Sequence, residues 1–151
     1  MTSTPGPEED AHLTPAQFRV IREHLGVTSA WLADFFGVGL RSVQRWERGE
    51  GSPVPVPRVK ALRALEQEAR EQIDQIVADL KSQARTSAVP AVQTYPSDES
   101  YRQHTGGPWS AGWHRAVTGR AIETYGRPAT VAYPQDGAAE KRVATVEHGT
   151  P

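Results

Sequence analysis

With 151 residues and a mass of 16.5 kDa, the chain has room for one ordinary domain or two small ones with tails, which excludes a large enzyme core. It contains no cysteine, so neither a disulfide framework nor a thiolate metal site holds it together. The net charge of −1 argues against a nucleic-acid binder until its distribution is seen. Residues 1–11 carry −3, residues 12–63 carry +4 from eight Lys/Arg against four Asp/Glu, residues 64–86 carry −2, and residues 87–151 are neutral. No apolar run approaches the ~20 residues that span a bilayer, and the opening MTSTPGPEED is acidic where a signal peptide is basic and then apolar. The expectation is a cytoplasmic protein with no membrane partner.

Residues 1–11 are too polar to repay the entropy of ordering them and read as a disordered tail, as do residues 134–151. LTPAQFRVIREHLG opens with Thr14 as N-cap, Pro15 at the first helical position and Gln17 placed for a capping box, and Gly26 stops it. Phe18, Val20, Ile21 and Leu25 share its inner face. A second helix starts at Thr28, carries Leu32, Ala33, Phe35 and Phe36, and ends at Gly37. After a short turn, LRSVQRWERGEG predicts a third helix with Val43 and Trp46 inward and Leu40, Arg41, Gln44 and Arg45 outward, closed by Gly49.

The prolines of GSPVPVPRVK delay the next helix to about Pro57, from which it runs to Arg85. Its seam of Val59, Leu62, Leu65, Ala69, Ile73, Ile76 and Leu80 is longer than a compact helix-turn-helix covers. It therefore packs on the C-terminal region or a second copy, or serves as a core helix of a single chain. Residues 87–94 read as a linker, and Ser97 caps a brief helix ended by glycines. In PWSAGWHRAVTGRAIETYG, Trp109, Trp113, Val117, Ala121, Ile122 and Tyr125 recur at helical spacing, and ATVAY is the one strand signal. With so few large apolar residues, the unit over 95–133 is expected to need a partner surface. Trp109, Trp113, Val117, Ile122 and Tyr125 are the dimerisation candidates.

Helix, glycine-bearing turn, helix is the arrangement that presents a recognition helix to a major groove about 12 Å wide. Arg41 and Arg45, four apart, share its exposed face. An arginine there can donate two hydrogen bonds to guanine O6 and N7, and Gln44 can pair with adenine or reach a phosphate. Leu32, Ala33, Phe35, Phe36, Gly37, Val38, Val43, Trp46, Glu47 and Gly49 fall on the pattern L-A-x-x-apolar-apolar-G-V followed by W-E-x-G. The segment thus resembles the Cro/repressor-type (XRE) helix-turn-helix family over about a quarter of the chain. That resemblance implies that Leu40, Arg41 and Arg45 face bases and that Ser29, Ser42 and Arg48 lie near phosphates. Three positions depart from the family: Gly39 stands where a Ser or Thr cap is common, Ser29 where glutamine is frequent, and Trp31 where a polar residue is usual. The overall layout also resembles the anti-CRISPR-associated autorepressors, which implies a C-terminal dimerisation domain with a tryptophan-bearing helix.

Simpler readings stand beside these. Arg41 and Arg45 can be solvated charges on an ordinary helix; Arg58, Lys60 and Arg63 can clamp phosphates or merely decorate their helix. Trp113 and Tyr125 can stack bases or pack a core. The five histidines, His12, His24, His104, His114 and His148, show no ligand spacing, so no metal and no cofactor is expected. Nothing in the sequence marks a small-molecule pocket, a phosphate loop or a nucleophile elbow, and the chain reads as non-enzymatic. The expected fold is mainly α: a helix-turn-helix bundle over 12–86 ending in a long helix, a linker over 87–94, and a small helical domain over 95–133 with at most one short strand. The expected function is a regulator, most simply a repressor, that binds double-stranded DNA as a homodimer on an inverted repeat. An antitoxin-like protein that binds DNA and neutralises a protein partner through its C-terminal part is the alternative.

Overall fold

The computed structural model describes residues 11–134. Except for Ala11 and Pro134, the expected tails lie outside the described residues, as does His148. The chain is mainly α, with six helices and one two-stranded parallel sheet among the described residues, and it divides into two compact units between Glu71 and Gln72.

The first unit contains α1 (Pro15–His24), α2 (Ser29–Phe36), α3 (Leu40–Arg48) and the start of α4 (Val56–Gln83). The capping box forms as the sequence predicts: the Gln17 N–H donates to Thr14 Oγ1 at 3.1 Å, and the Thr14 N–H donates to Gln17 Oε1 at 2.8 Å. The Thr28 hydroxyl caps α2 by accepting from the Trp31 N–H at 3.0 Å. Gly49 ends α3 in the left-handed region at φ 71°, and a Cβ there would lie 3.0 Å from Pro15 Cγ. Both its conformation and the close approach of α1 therefore demand glycine. Phe18, Leu32, Val43, Val59 and Leu62 are fully enclosed, each stabilising the unit by about 1.5–3 kcal/mol relative to exposure. Trp46 closes the core edge-on to Phe18 and Phe36, with centroids 6.0 and 6.3 Å away.

α4 starts one residue before the expected Pro57, because the Pro55 carbonyl accepts from the Arg58 and Val59 N–H groups at 2.9 and 3.1 Å. All seven seam residues from Val59 to Leu80 are buried within a single copy of the chain. The seam therefore needs no second copy to leave water.

The second unit contains the end of α4, β1 (Ala91–Gln93), α5 (Asp98–Thr105), α6 (Ala111–Tyr125) and β2 (Thr130–Ala132). The expected linker over 87–94 holds β1, which pairs in parallel with β2 in the register Ala91↔Thr130, Val92↔Val131, Gln93↔Ala132. Further bonds run from the Thr130 N–H to the Pro90 carbonyl and from the Thr94 N–H to the Ala132 carbonyl, both 2.9 Å. The outer rim of β1 is met by Gln83. Its Oε1 accepts from the Ala91 N–H at 2.9 Å and its Nε2 donates to the Ala91 carbonyl at 2.8 Å. That contact is one physical reason the boundary between units falls inside α4 and not after residue 86.

Ser97 and Ser110 cap α5 and α6, and Asp98 Oδ1 accepts from the Ala111 N–H at 2.8 Å, tying the start of α6 to α5. Tyr95, Tyr101 and Ala111 form a core cluster flanked by Trp109, and Trp113, Val117 and Ala121 are enclosed along α6. His114 is buried with its ring 5.0 Å from Tyr95 and 5.9 Å from Tyr101. Burial pushes its pKa below the ordinary value of 6.5, because an apolar setting disfavours the imidazolium.

Candidate nucleic-acid interface

α3 is amphipathic in the sense a reading helix requires. Its nine residues span about 14 Å at 1.5 Å per residue, a length compatible with a groove about 12 Å wide. Val43 is fully buried and Trp46 half-buried on one side, whereas Leu40, Arg41, Gln44, Arg45 and Arg48 are exposed on the other. Gly39 begins the helix at φ −72°, ψ 150° with no side-chain cap.

The helix is held at a fixed angle by a contact that local pattern does not reveal. Arg22 on α1 donates from Nε and Nη2 to the two carboxylate oxygens of Glu47 on α3, the second bond at 3.3 Å, and from Nη1 to the Val27 carbonyl at 3.0 Å. The side chains are only 13% and 10% exposed. A bidentate Arg–carboxylate pair in this setting has directional hydrogen bonds as well as charge. It fixes which face of α3 turns outward. The two residues are 25 apart in sequence, so nothing in helical spacing points to the pair.

The outward face carries two adjoining concavities. Arg41, Gln44, Arg45, Arg48 and Glu50 line one; Arg19, Arg22, Ser29, Gln44, Glu47 and Arg48 line the other. Gln44 and Arg48 belong to both, so Ser29 at the start of α2 is brought beside the α3 face. Arg19 joins them although no sequence motif points to it. It pairs with Glu23 at 2.7 Å, and this hydrogen bond raises its own pKa and lowers that of the carboxyl. Both groups are well exposed, where such a pair is worth little and yields readily to another anion. Arg48 lies 3.3 Å from Glu50, while Arg41 and Arg45 have no ion-pair partner among the described residues. Those two guanidinium groups are the available donors of the face. Ser42 is half-buried on α3, its N–H donating to the Gly39 carbonyl at 3.0 Å.

Other candidates are placed elsewhere. Arg58 lies over the Phe36 ring at 5.8 Å, a cation–π contact, and Arg63 pairs with Glu66 at 2.8 Å. Lys60 is exposed on α4. None of the three lines the α3 concavities. In the second unit, Trp113 and Val117 are only 1% exposed: the chain's own core takes them up, so they are not presented to a second copy. Trp109, Ile122 and Tyr125 are half-buried. No cluster of three or more metal-ligating side chains occurs among the described residues, and no described helix is long and apolar enough to cross a membrane.

Neither protein-family models nor curated proteins match the chain.

Proposed function

We propose that the first unit is a sequence-specific reader of double-stranded DNA of the Cro/repressor type, with α3 as recognition helix, in a cytoplasmic transcriptional regulator that acts as a homodimeric repressor. The observation that carries this reading is the two-sided character of α3. Its inner side is locked by Val43, Trp46 and the Arg22–Glu47 pair, leaving Leu40, Arg41, Gln44 and Arg45 exposed together beside Ser29 and Arg48. Arg41, Gln44 and Arg45 supply side chains that read base edges; Arg48, Arg19 and Ser29 supply phosphate donors. Two such helices about 34 Å apart would enter successive major grooves of an inverted repeat.

The test is fluorescence anisotropy on sites selected by the protein from random duplex DNA, at several salt concentrations. Wild type is expected to prefer its selected site over random duplex, with affinity falling steeply as salt rises. Arg41→Ala and Arg45→Ala are each expected to lose about 1–3 kcal/mol of discrimination at one base position while keeping salt-dependent binding. Equal affinity of all three proteins for selected and random DNA would refute the assignment of α3. The antitoxin-like reading calls for a C-terminal part that folds only on its partner. Enclosure of Trp113, Val117 and Ala121 within one chain supports the regulator over that alternative.

A further inference from the structure

The second unit contains a groove that the DNA-reading surface does not use. It has a volume of about 390 Å³ and lies between one face of α6, formed by Arg115, Thr118, Gly119 and Ile122, and the β2 residues Val131 and Ala132 with the following Tyr133, with Thr94 at its side. That size is within the ~300–1,000 Å³ of small-molecule sites, which combine apolar walls with a few convergent polar groups. Three observations bear on what fills it.

The first is charge. Arg115 donates from Nη1 to the Tyr95 carbonyl at 2.6 Å, which fixes the guanidinium in place without neutralising it, and no carboxylate pairs with it among the described residues. The second is a hydroxyl. Thr94 and Thr118, 4% and 2% exposed, both reach His114 Nδ1, at 2.9 and 3.4 Å. One ring nitrogen offers a single lone pair or a single proton. The Thr118 contact is the longer and weaker of the two, so its hydroxyl is the more readily turned to another partner, in a groove it lines together with Arg115. The third is a missing side chain. Gly119 sits in the middle of α6, where glycine costs about 1 kcal/mol relative to alanine. A Cβ there would meet nothing within 4 Å and the backbone φ is not positive, so packing within the chain does not require the glycine. Its absent side chain leaves part of the groove open.

We propose that this groove binds a small organic acid. The carboxylate would be held by Arg115 and the Thr118 hydroxyl, and an apolar or aromatic body would lie over Gly119 between Ile122, Val131 and Tyr133. This site is independent of the DNA-reading face and of the assignment of α3.

The test is calorimetric titration of the full chain with 3-phenylpropionate and with octanoate, using 3-phenylpropionamide as the uncharged counterpart. Saturable binding of at least one acid is expected, weakened tenfold or more for the amide and for Arg115→Gln. Gly119→Leu, which fills the groove from a position with free space, is expected to abolish binding while keeping the helical circular dichroism and melting temperature of wild type. Binding of neither acid, equal binding of the amide, or undiminished binding by folded Gly119→Leu would each overturn the proposal. So would a wild-type dimer that Gly119→Leu converts to monomer in light scattering without added acid, since the groove would then hold a second copy.

Discussion

The two units solve the burial of polar groups differently. In the first, an ionised pair is taken nearly out of water, and each charged group is met by hydrogen bonds: Arg22 uses three nitrogens on Glu47 and the Val27 carbonyl. In the second, the buried polar groups are neutral and incompletely matched. His114 shares one nitrogen between two threonines, and Ser100 Oγ and Trp113 Nε1 are buried without a hydrogen-bond partner among the described residues. A satisfied pair makes a rigid joint; unmatched neutral groups cost about 1–3 kcal/mol each. The polar groups of the first unit thus brace α3 against α1, whereas those of the second lower its stability.

The largest test of this contrast is Glu47→Ala. Leaving Arg22 buried and unpaired is expected to cost about 3–5 kcal/mol, read as lost hydrogen-exchange protection in α1–α3. The amides of α5 and α6 are expected to keep theirs. Equal loss in both sets would mean that the units open as one, and the contrast would fail. Acidification sharpens the other side of it. The His114 pKa is depressed in the folded chain, so the folded state binds that proton less readily than the unfolded one. The stabilising contribution of neutral His114 is complete above pH 6.5 and declines as pH falls below it. Protection in α5 and α6 should therefore drop on acidification while that in α2 and α3 changes less, and His114→Asn should flatten the response. The smallest effect is expected from Gly39→Ser. A Cβ at Gly39 meets no neighbour, and a serine there can accept from the first turn of α3, adding a few tenths of a kcal/mol. Denaturant titration resolving a loss instead would show that the uncapped start of α3 is under a constraint other than helix capping.

Local chemistry was legible at the helix ends, although not on every face: Val20, expected to turn inward on α1, is 64% exposed. Thr14 with Gln17, Thr28 before α2, Ser97 before α5, and Gly37 and Gly49 after their helices all do what their positions predict. The inward turn of Val43 and the outward turn of Arg41, Gln44 and Arg45 follow from a 3.6-residue period. The rest depends on distant partners. β1 is three residues long, and its partner in the sheet lies 39 positions further on at Thr130, so Ala-Val-Gln carries no strand signal of its own. Periodicity also places Trp109, Trp113 and Val117 together without saying what covers them. The chain itself encloses the last two, which is why they are not available as a dimer face. The α6–β2 groove was invisible for the same reason, since its walls come from separate stretches of chain.

The Gln83 amide on β1 has one more consequence. Parallel pairing directs the main-chain groups of Val92 toward β2 and those of Ala91 away from it, and the amide satisfies the latter on both sides. Edge strands are where sheets recruit further chains, and open-ended recruitment needs two receptive rims. With the Ala91 groups already taken by the Gln83 amide, a strand pairing on that rim would have to displace a side chain first, which disfavours extension of the sheet past β1.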